Sequence, residues 1–168
     1  MQKNKMISIC FVCLGNICRS PTAEAVMVKK IHEQNLQDII HIDSAGTAAY
    51  HVGEMADTRS QEHAKQRGYS IQSRARQFTQ EDLDKFDYVI AMDRSNQNNI
   101  LHLCRSEAQR NKIYLFRDFE GEGKNLHHKN DVPDPYYGGS LGFETVLDIC
   151  EICSDGLIDF IKQQRSIS

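Results

Sequence analysis

Apolar positions recur along this chain with two spacings. Short apolar runs at Ile7–Val12, Ile39–Asp43, Tyr88–Met92 and Ile113–Phe116 have the length and composition of strands. Between them, apolar residues fall three and four apart. Pro21–Gln34 predicts a helix with Ala23, Val26, Met27 and Ile31 near one face. Thr58–Arg67 is helical and stops at Gly68, a natural C-terminal position, and a further helix runs from Ser95 to about Cys104. Leu141–Gln164 reads as one long closing helix, with Val146, Ile149, Cys150, Cys153, Leu157, Phe160 and Ile161 near one stripe. A loop at Ala45–Met55 carries Gly46, Tyr50 and Gly53, and a polar loop spans Glu120–Asp131. Strands alternating with helices predict an α/β fold: a single-domain, open parallel sheet of about four strands with helices on both faces. Ligands of such sheets sit beyond the C-terminal ends of the strands.

Composition narrows the class. The 168 residues are one domain's worth of chain, 40% hydrophobic and 26% charged, enough for a core without staples. A net charge of −3 and a pI near 6.1 argue against nucleic acid held by bulk charge. No apolar stretch is long enough to span a bilayer, and the run after Lys3 and Lys5 reads as a first strand, not a signal peptide. Six irregularly spaced cysteines in a chain of this size point to reduced thiols in a cytoplasmic protein.

The segment Ile9–Pro21 carries the candidate chemistry. An apolar run ends at Cys13, a loop of Leu14, Gly15, Asn16, Ile17 and Cys18 follows, and Arg19-Ser20-Pro21 opens a helix. Ser20 suits a helix cap and Pro21 the first helical position. Strand, loop and helix in that order aim free N–H groups and the positive end of the helix dipole at one spot, which makes an anion site. A cysteine there is expected to be partly or wholly a thiolate, and Arg19 adds a fork that suits phosphate oxygens. The spacing alone proves little. Cys104 and Arg110 repeat it in a stretch without glycine or a preceding strand, which reads as the polar end of a helix. The plain alternative for Cys13 is a small buried hydrophobe; its strand-loop-helix setting favours a functional thiol.

Several segments together resemble the low-molecular-weight protein tyrosine phosphatases. Beyond the Cys13 loop they are Asp43-Ser44-Ala45-Gly46-Thr47, Ala75-Arg76-Gln77, Phe86-Asp87-Tyr88, Met92-Asp93, Asp131-Val132-Pro133-Asp134-Pro135-Tyr136-Tyr137 and Phe143-Glu144-Thr145-Val146. They occur in the family's order and cover nearly the whole chain, which implies a Rossmann-like or flavodoxin-like phosphatase domain. The resemblance implies Cys13 as nucleophile, Arg19 as phosphate ligand and Asp134 as general acid and base, with Asp131 the runner-up acid. An Asp beside Pro is otherwise just a turn residue. Tyr136 and Tyr137 are implied as one wall of the substrate cleft and Tyr50 as the other. A deep aromatic slot admits phosphotyrosine, whereas phosphoserine is too short to reach its floor. Ile17 leans the same way, because the related arginine phosphatases tend to carry Thr there.

Asn16, Ser20 and Ser44 match residues that hold the loop in shape and help stabilise the thiolate. The plain readings are a helix cap for Ser20 and a strand-end hydroxyl for Ser44. Ser73 departs from the family, which commonly has His there; fine tuning of the loop network is where this departure would act. Cys18 reads as a filler or, as the resemblance implies, the partner of Cys13 in a reversible disulfide. Cys150 and Cys153, one turn apart on an amphipathic helix, read as core rather than a metal or redox pair. His127 and His128 beside Lys129 read as solvated. The expected activity needs no metal or cofactor, takes phosphotyrosine proteins and releases inorganic phosphate. Two rivals remain at this level: an arsenate reductase, which needs a relay of further cysteines, and a non-catalytic phosphate binder, which needs no acid.

Overall fold

The computed structural model describes residues 5–121, 130–136 and 138–168. Strands β1 (Ile7–Cys13), β2 (Ile40–Gly46), β3 (Tyr88–Ala91) and β4 (Ile113–Leu115) form one sheet in the order β2-β1-β3-β4. Every neighbouring pair is parallel, as the alternation of elements predicts. The helices are α1 (Arg19–Glu33), α2 (Thr58–Gln66), α3 (Asp82–Lys85), α4 (Arg94–Leu101), α5 (Glu107–Arg110) and α6 (Ser140–Arg165).

The inner strand β1 divides the core. Ile7, Ile9, Phe11 and Cys13 face α1 and α6, packing with Met27, Ile31, Leu147 and Leu157. Cys10 and Val12 point the other way, toward Leu83, Phe86 and Ile100. The period of two along β1 therefore builds both layers, and each fully buried large apolar side chain is worth about 1.5–3 kcal/mol. Phe11 meets Phe116 edge to face with ring centroids 5.1 Å apart. Helix α6 passes so near the 3-10 turn Phe116–Phe119 that a Cβ on Gly156 would lie 1.9 Å from the Phe119 carbonyl oxygen. Cys150 and Cys153 are fully buried on α6 in this core, as their spacing predicts.

Several boundaries differ from the pattern. Helix α1 begins at Arg19, so Pro21 is its third residue; it still falls in the first turn, where N–H groups have no intrahelical partner. The Ser20 hydroxyl caps nothing, and the Thr22 hydroxyl instead donates to the Cys18 carbonyl at 2.6 Å. Strand β2 continues through Ala45 to Gly46, pairing with Val12 and Cys13, so those two residues are strand and not loop. Phe116 opens the 3-10 turn instead of ending β4. The Cys104–Arg110 stretch is not the end of a helix: α4 stops at Leu101, and α5 is a separate turn capped by Ser106. Tyr137, His127, His128 and Lys129 lie outside the described residues.

From β1 the chain moves to β2 on one side, then crosses to β3 on the other. The switch point lies at the C-terminal ends of β1 and β3, where such sheets take their ligands. Cys13 closes β1 at that point.

Candidate active site

Cys13 is 3% exposed, and its sulfur is met from two sides. The Asn16 backbone N–H donates to it at 3.2 Å, and the Ser20 hydroxyl lies 2.9 Å away. That N–H reaches the sulfur because Asn16 adopts φ +57°, a left-handed conformation that Asn tolerates better than most residues. The Asn16 side chain holds the conformation. Its Nδ2 donates to Ser20 Oγ (2.8 Å) and Ser44 Oγ (3.0 Å), and its Oδ1 accepts from the Arg76 N–H (3.1 Å). Neighbours bind the loop from outside: the N–H groups of Thr47, Ala48 and Asp57 donate to the carbonyls of Cys13, Leu14 and Ile17. Gly46 permits the closest approach, since a Cβ there would stand 2.7 Å from the Leu14 carbonyl oxygen.

Arg19, 3% exposed, is the first residue of α1 and turns into the same site. Its guanidinium donates to Asp93 Oδ2 at 2.5 Å and to the Val132 carbonyl at 3.0 Å. Asp134 Oδ2 lies 3.6 Å from its second nitrogen. Burial opposes the charge of Arg19, but Cys13, Asp93 and Asp134 outweigh it and raise its pKa above the ordinary value. Asp93 also accepts from the Asn96 N–H at 2.7 Å and so caps α4, fixing its carboxylate in two directions. Asp131 accepts from the Arg94 N–H at 2.9 Å. The segment carrying Asp134 is pinned at its start by the Val132 N–H to the Met92 carbonyl. Asp134 itself accepts from the Tyr136 N–H at 3.0 Å.

One cleft is lined by Cys13, Leu14, Gly15, Ile17, Cys18, Arg19, Tyr50, His51, Asp134 and Tyr136. The sequence-predicted nucleophile, cation, acid and two of the aromatic walls thus come together, from segments far apart in the chain. Tyr50 is the most exposed of them. Ile17 packs with Cys18, Ala75 and Phe143 at the edge of the floor. Burial pushes the Cys18 thiol up to about 12, and Ser60 bonds to it. Ser44 reaches Glu24, its hydroxyl donating to the carboxylate at 2.5 Å, and Ser73 donates to the same carboxylate. Burial raises the Glu24 carboxyl above the usual carboxylate range despite those hydroxyls. Ser73 thus joins the network through Glu24.

Sequence reasoning missed Asp93 as the partner of Arg19, although its place at the end of β3 and the start of α4 was a usable signal. It also missed His51, held by Glu54 at 2.7 Å, and Glu24; no local pattern marks either. Among the described residues no group of three or more His, Cys, Asp or Glu side chains is placed to hold a metal ion.

A cysteine and an arginine framing a loop of backbone donors at a strand end, with a carboxyl above, define a cysteine-dependent phosphate-transfer site. The profile of the family described as low molecular weight phosphotyrosine protein phosphatase matches residues 8–167. A low molecular weight protein-tyrosine-phosphatase of Streptomyces coelicolor is 40% identical over 158 residues, covering 93% of this chain and 94% of that one. The human low molecular weight phosphotyrosine protein phosphatase is 37% identical, covering 90% and 94%. A crystal structure of a protein tyrosine phosphatase from Entamoeba histolytica, with Hepes in its active site, superposes with a TM-score of 0.87 at 43% identity, covering 95% and 98%. The chain belongs to the low molecular weight phosphotyrosine protein phosphatase family.

Proposed function

We propose that this chain, acting as one domain, hydrolyses phosphotyrosine and aryl phosphate monoesters in the cytoplasm without a metal or cofactor. The observation that carries the reading is the convergence of Cys13, Arg19 and Asp134 on one cleft between Tyr50 and Tyr136. Cys13, as a thiolate, attacks phosphorus in line. The Arg19 fork and the loop N–H groups of Leu14 to Cys18 stabilise the equatorial oxygens. The P–O bond to the phenol breaks, and Asp134 gives that oxygen its proton. Asp134 then takes a proton from water, which attacks the phosphocysteine and releases inorganic phosphate and the thiolate. Tyr50 and Tyr136 grip the phenyl ring of a phosphotyrosine protein.

The site argues against the rivals. Beyond Cys18, which shares the cleft with Cys13, a relay has no further thiol at hand: Cys10 faces the opposite side of the sheet, Cys104 packs with that same side, and Cys150 and Cys153 lie in the α6 core. A simple binder needs no acid. The test is p-nitrophenyl phosphate turnover in the presence of a chelator, wild type beside Cys13→Ser. Turnover by wild type and none by the variant is expected. Substantial activity in Cys13→Ser would overturn the assignment.

A further inference from the structure

The acid-bearing segment is held at both ends, and the two ends differ. At its start, the Val132 N–H donates to the Met92 carbonyl, and Arg117 donates to the Asp131 carbonyl at 3.0 Å; these anchors belong to the sheet and its turns. Past Asp134, a side chain from α2 reaches across the cleft rim. Arg59 Nη2 donates to the Tyr136 carbonyl at 3.1 Å. The guanidinium is aimed by three other groups. Asp57 takes its Nε at 3.1 Å and its Nη2 at 3.0 Å, and the Phe143 ring lies beneath it with the carbon 4.9 Å from the centroid. The Tyr136 ring is 5.7 Å away. Asp57 is tied in turn to the nucleophile loop, its N–H donating to the Ile17 carbonyl at 2.8 Å.

We propose that Arg59 is a positioning residue for the general acid, coupling the Asp134 segment to the nucleophile loop through Asp57. The role rests on the phosphatase reading above. Asp134 accepts from the N–H of Tyr136, the residue whose carbonyl Arg59 holds. Holding the Tyr136 carbonyl restrains the backbone of the residue whose N–H holds the Asp134 carboxyl, which lies 3.6 Å from Arg19. A planar fork is needed because one guanidinium must serve a carboxylate, a carbonyl and an aromatic face together. Arg59 does not line the cleft, and its hydrogen bonds go to Asp57 and the Tyr136 carbonyl, so its effect falls on the acid-bearing segment and not on the phosphate directly.

The experiment measures the rate of phosphoenzyme formation for a series of aryl phosphates of rising leaving-group pKa. It compares wild type, Arg59→Ala, Arg59→Lys, Asp134→Ala and the double variant, with inorganic phosphate affinity measured alongside. Misplacing the acid should cost Arg59→Ala about 10- to 100-fold on the poorest leaving groups and little on the best, with phosphate affinity unchanged within about twofold. Arg59→Lys should fall between, and Arg59→Ala should add nothing in the Asp134→Ala background. If Arg59→Ala fails to fold, Arg59→Gln carries the same comparison. A flat leaving-group dependence in Arg59→Ala with active wild type, an equal loss on all substrates, or full additivity with Asp134→Ala overturns this role alone. Inactivity of wild type on every aryl phosphate overturns the phosphatase reading and this role with it.

Discussion

The Ser20 hydroxyl stands 2.9 Å from the Cys13 sulfur and 3.3 Å from the Ala45 carbonyl, with one proton to give to one of them. Asn16 already donates to that hydroxyl, so its proton is free to turn to the sulfur when the sulfur carries charge. A hydrogen bond to a charged group is worth about 1.5–3 kcal/mol. Ser20→Ala should therefore slow alkylation of Cys13 by iodoacetate at mildly acid pH by about tenfold or more, with the fold intact by circular dichroism. An unchanged alkylation rate would show that the hydroxyl serves Ala45 instead.

Asp134→Ala should lower phosphoenzyme formation by roughly 10²–10⁴-fold for phosphotyrosine peptides and far less for activated aryl phosphates. A phenol of pKa near 10 needs a proton to leave, and a more acidic one does not. Asp131→Ala is the control. Its carboxylate serves the Arg94 N–H, so it should cost about 0.5–2 kcal/mol of stability and leave the leaving-group slope flat. A steep slope in Asp131→Ala would exchange the two roles.

Peroxide should inactivate the enzyme, and a dithiol should restore it. Cys13 loses its electron pair to peroxide and becomes a sulfenic acid. The Cys18 thiol then displaces water to form a disulfide, which the dithiol reduces. Both residues line the one cleft, and burial keeps Cys18 a thiol at neutral pH, so Cys13 is oxidised first. Cys18→Ser should keep resting activity and recover less of it after peroxide. Equal recovery would remove Cys18 from the scheme.

Gly46→Ala should damage function more than its small size implies. The added methyl meets backbone, 2.7 Å from the Leu14 oxygen and 3.1 Å from the Gly15 carbonyl carbon, so the loop itself must move. A shift of about 1 Å in such a loop costs on the order of 10²-fold in rate. Turnover and phosphate affinity should fall together. Normal kinetics would mean that the loop absorbs the change elsewhere.

Glu24 makes a pH prediction with a definite sign. Burial raises its carboxyl in the folded state, so the fold binds that proton more tightly than the unfolded chain does. The contribution is fully present below the unfolded pKa of about 4.3 and is lost as pH rises through the higher folded value. Glu24→Gln does not titrate. The melting temperature of the variant minus that of wild type should therefore increase from about pH 4 to neutrality. A difference that stays constant would place no titration at Glu24.

What the chain's pattern made legible was local. The apolar run of β1, the glycine-containing loop and the helix after it put Cys13 at a strand end and Arg19 at a helix start, because neighbours in sequence build that unit. The cap reading of Ser20 failed, since a serine just before a proline that opens an apolar-faced helix reads as a cap until Asn16 and Ala45 approach from elsewhere. Asp93, Glu24 and Arg59 act on residues remote in the chain, and of these only Asp93, between a strand and a helix, carried a local signal; His51 meets Glu54 three residues on, in a loop with no period to read. The short helices α3 and α5 are single turns with too few residues for a period to show.

The strand that ends in the nucleophile is an inner one, flanked by residues 40–46 and 88–91, and its cation is held from positions 93 and 132. A growing chain thus presents its thiol long before the partners that order it have been made. Pairings this distant in sequence are slow to close. In refolding, catalytic competence should return with the last kinetic phase, and until then the thiol is an ordinary exposed cysteine, open to reagents that the finished cleft excludes.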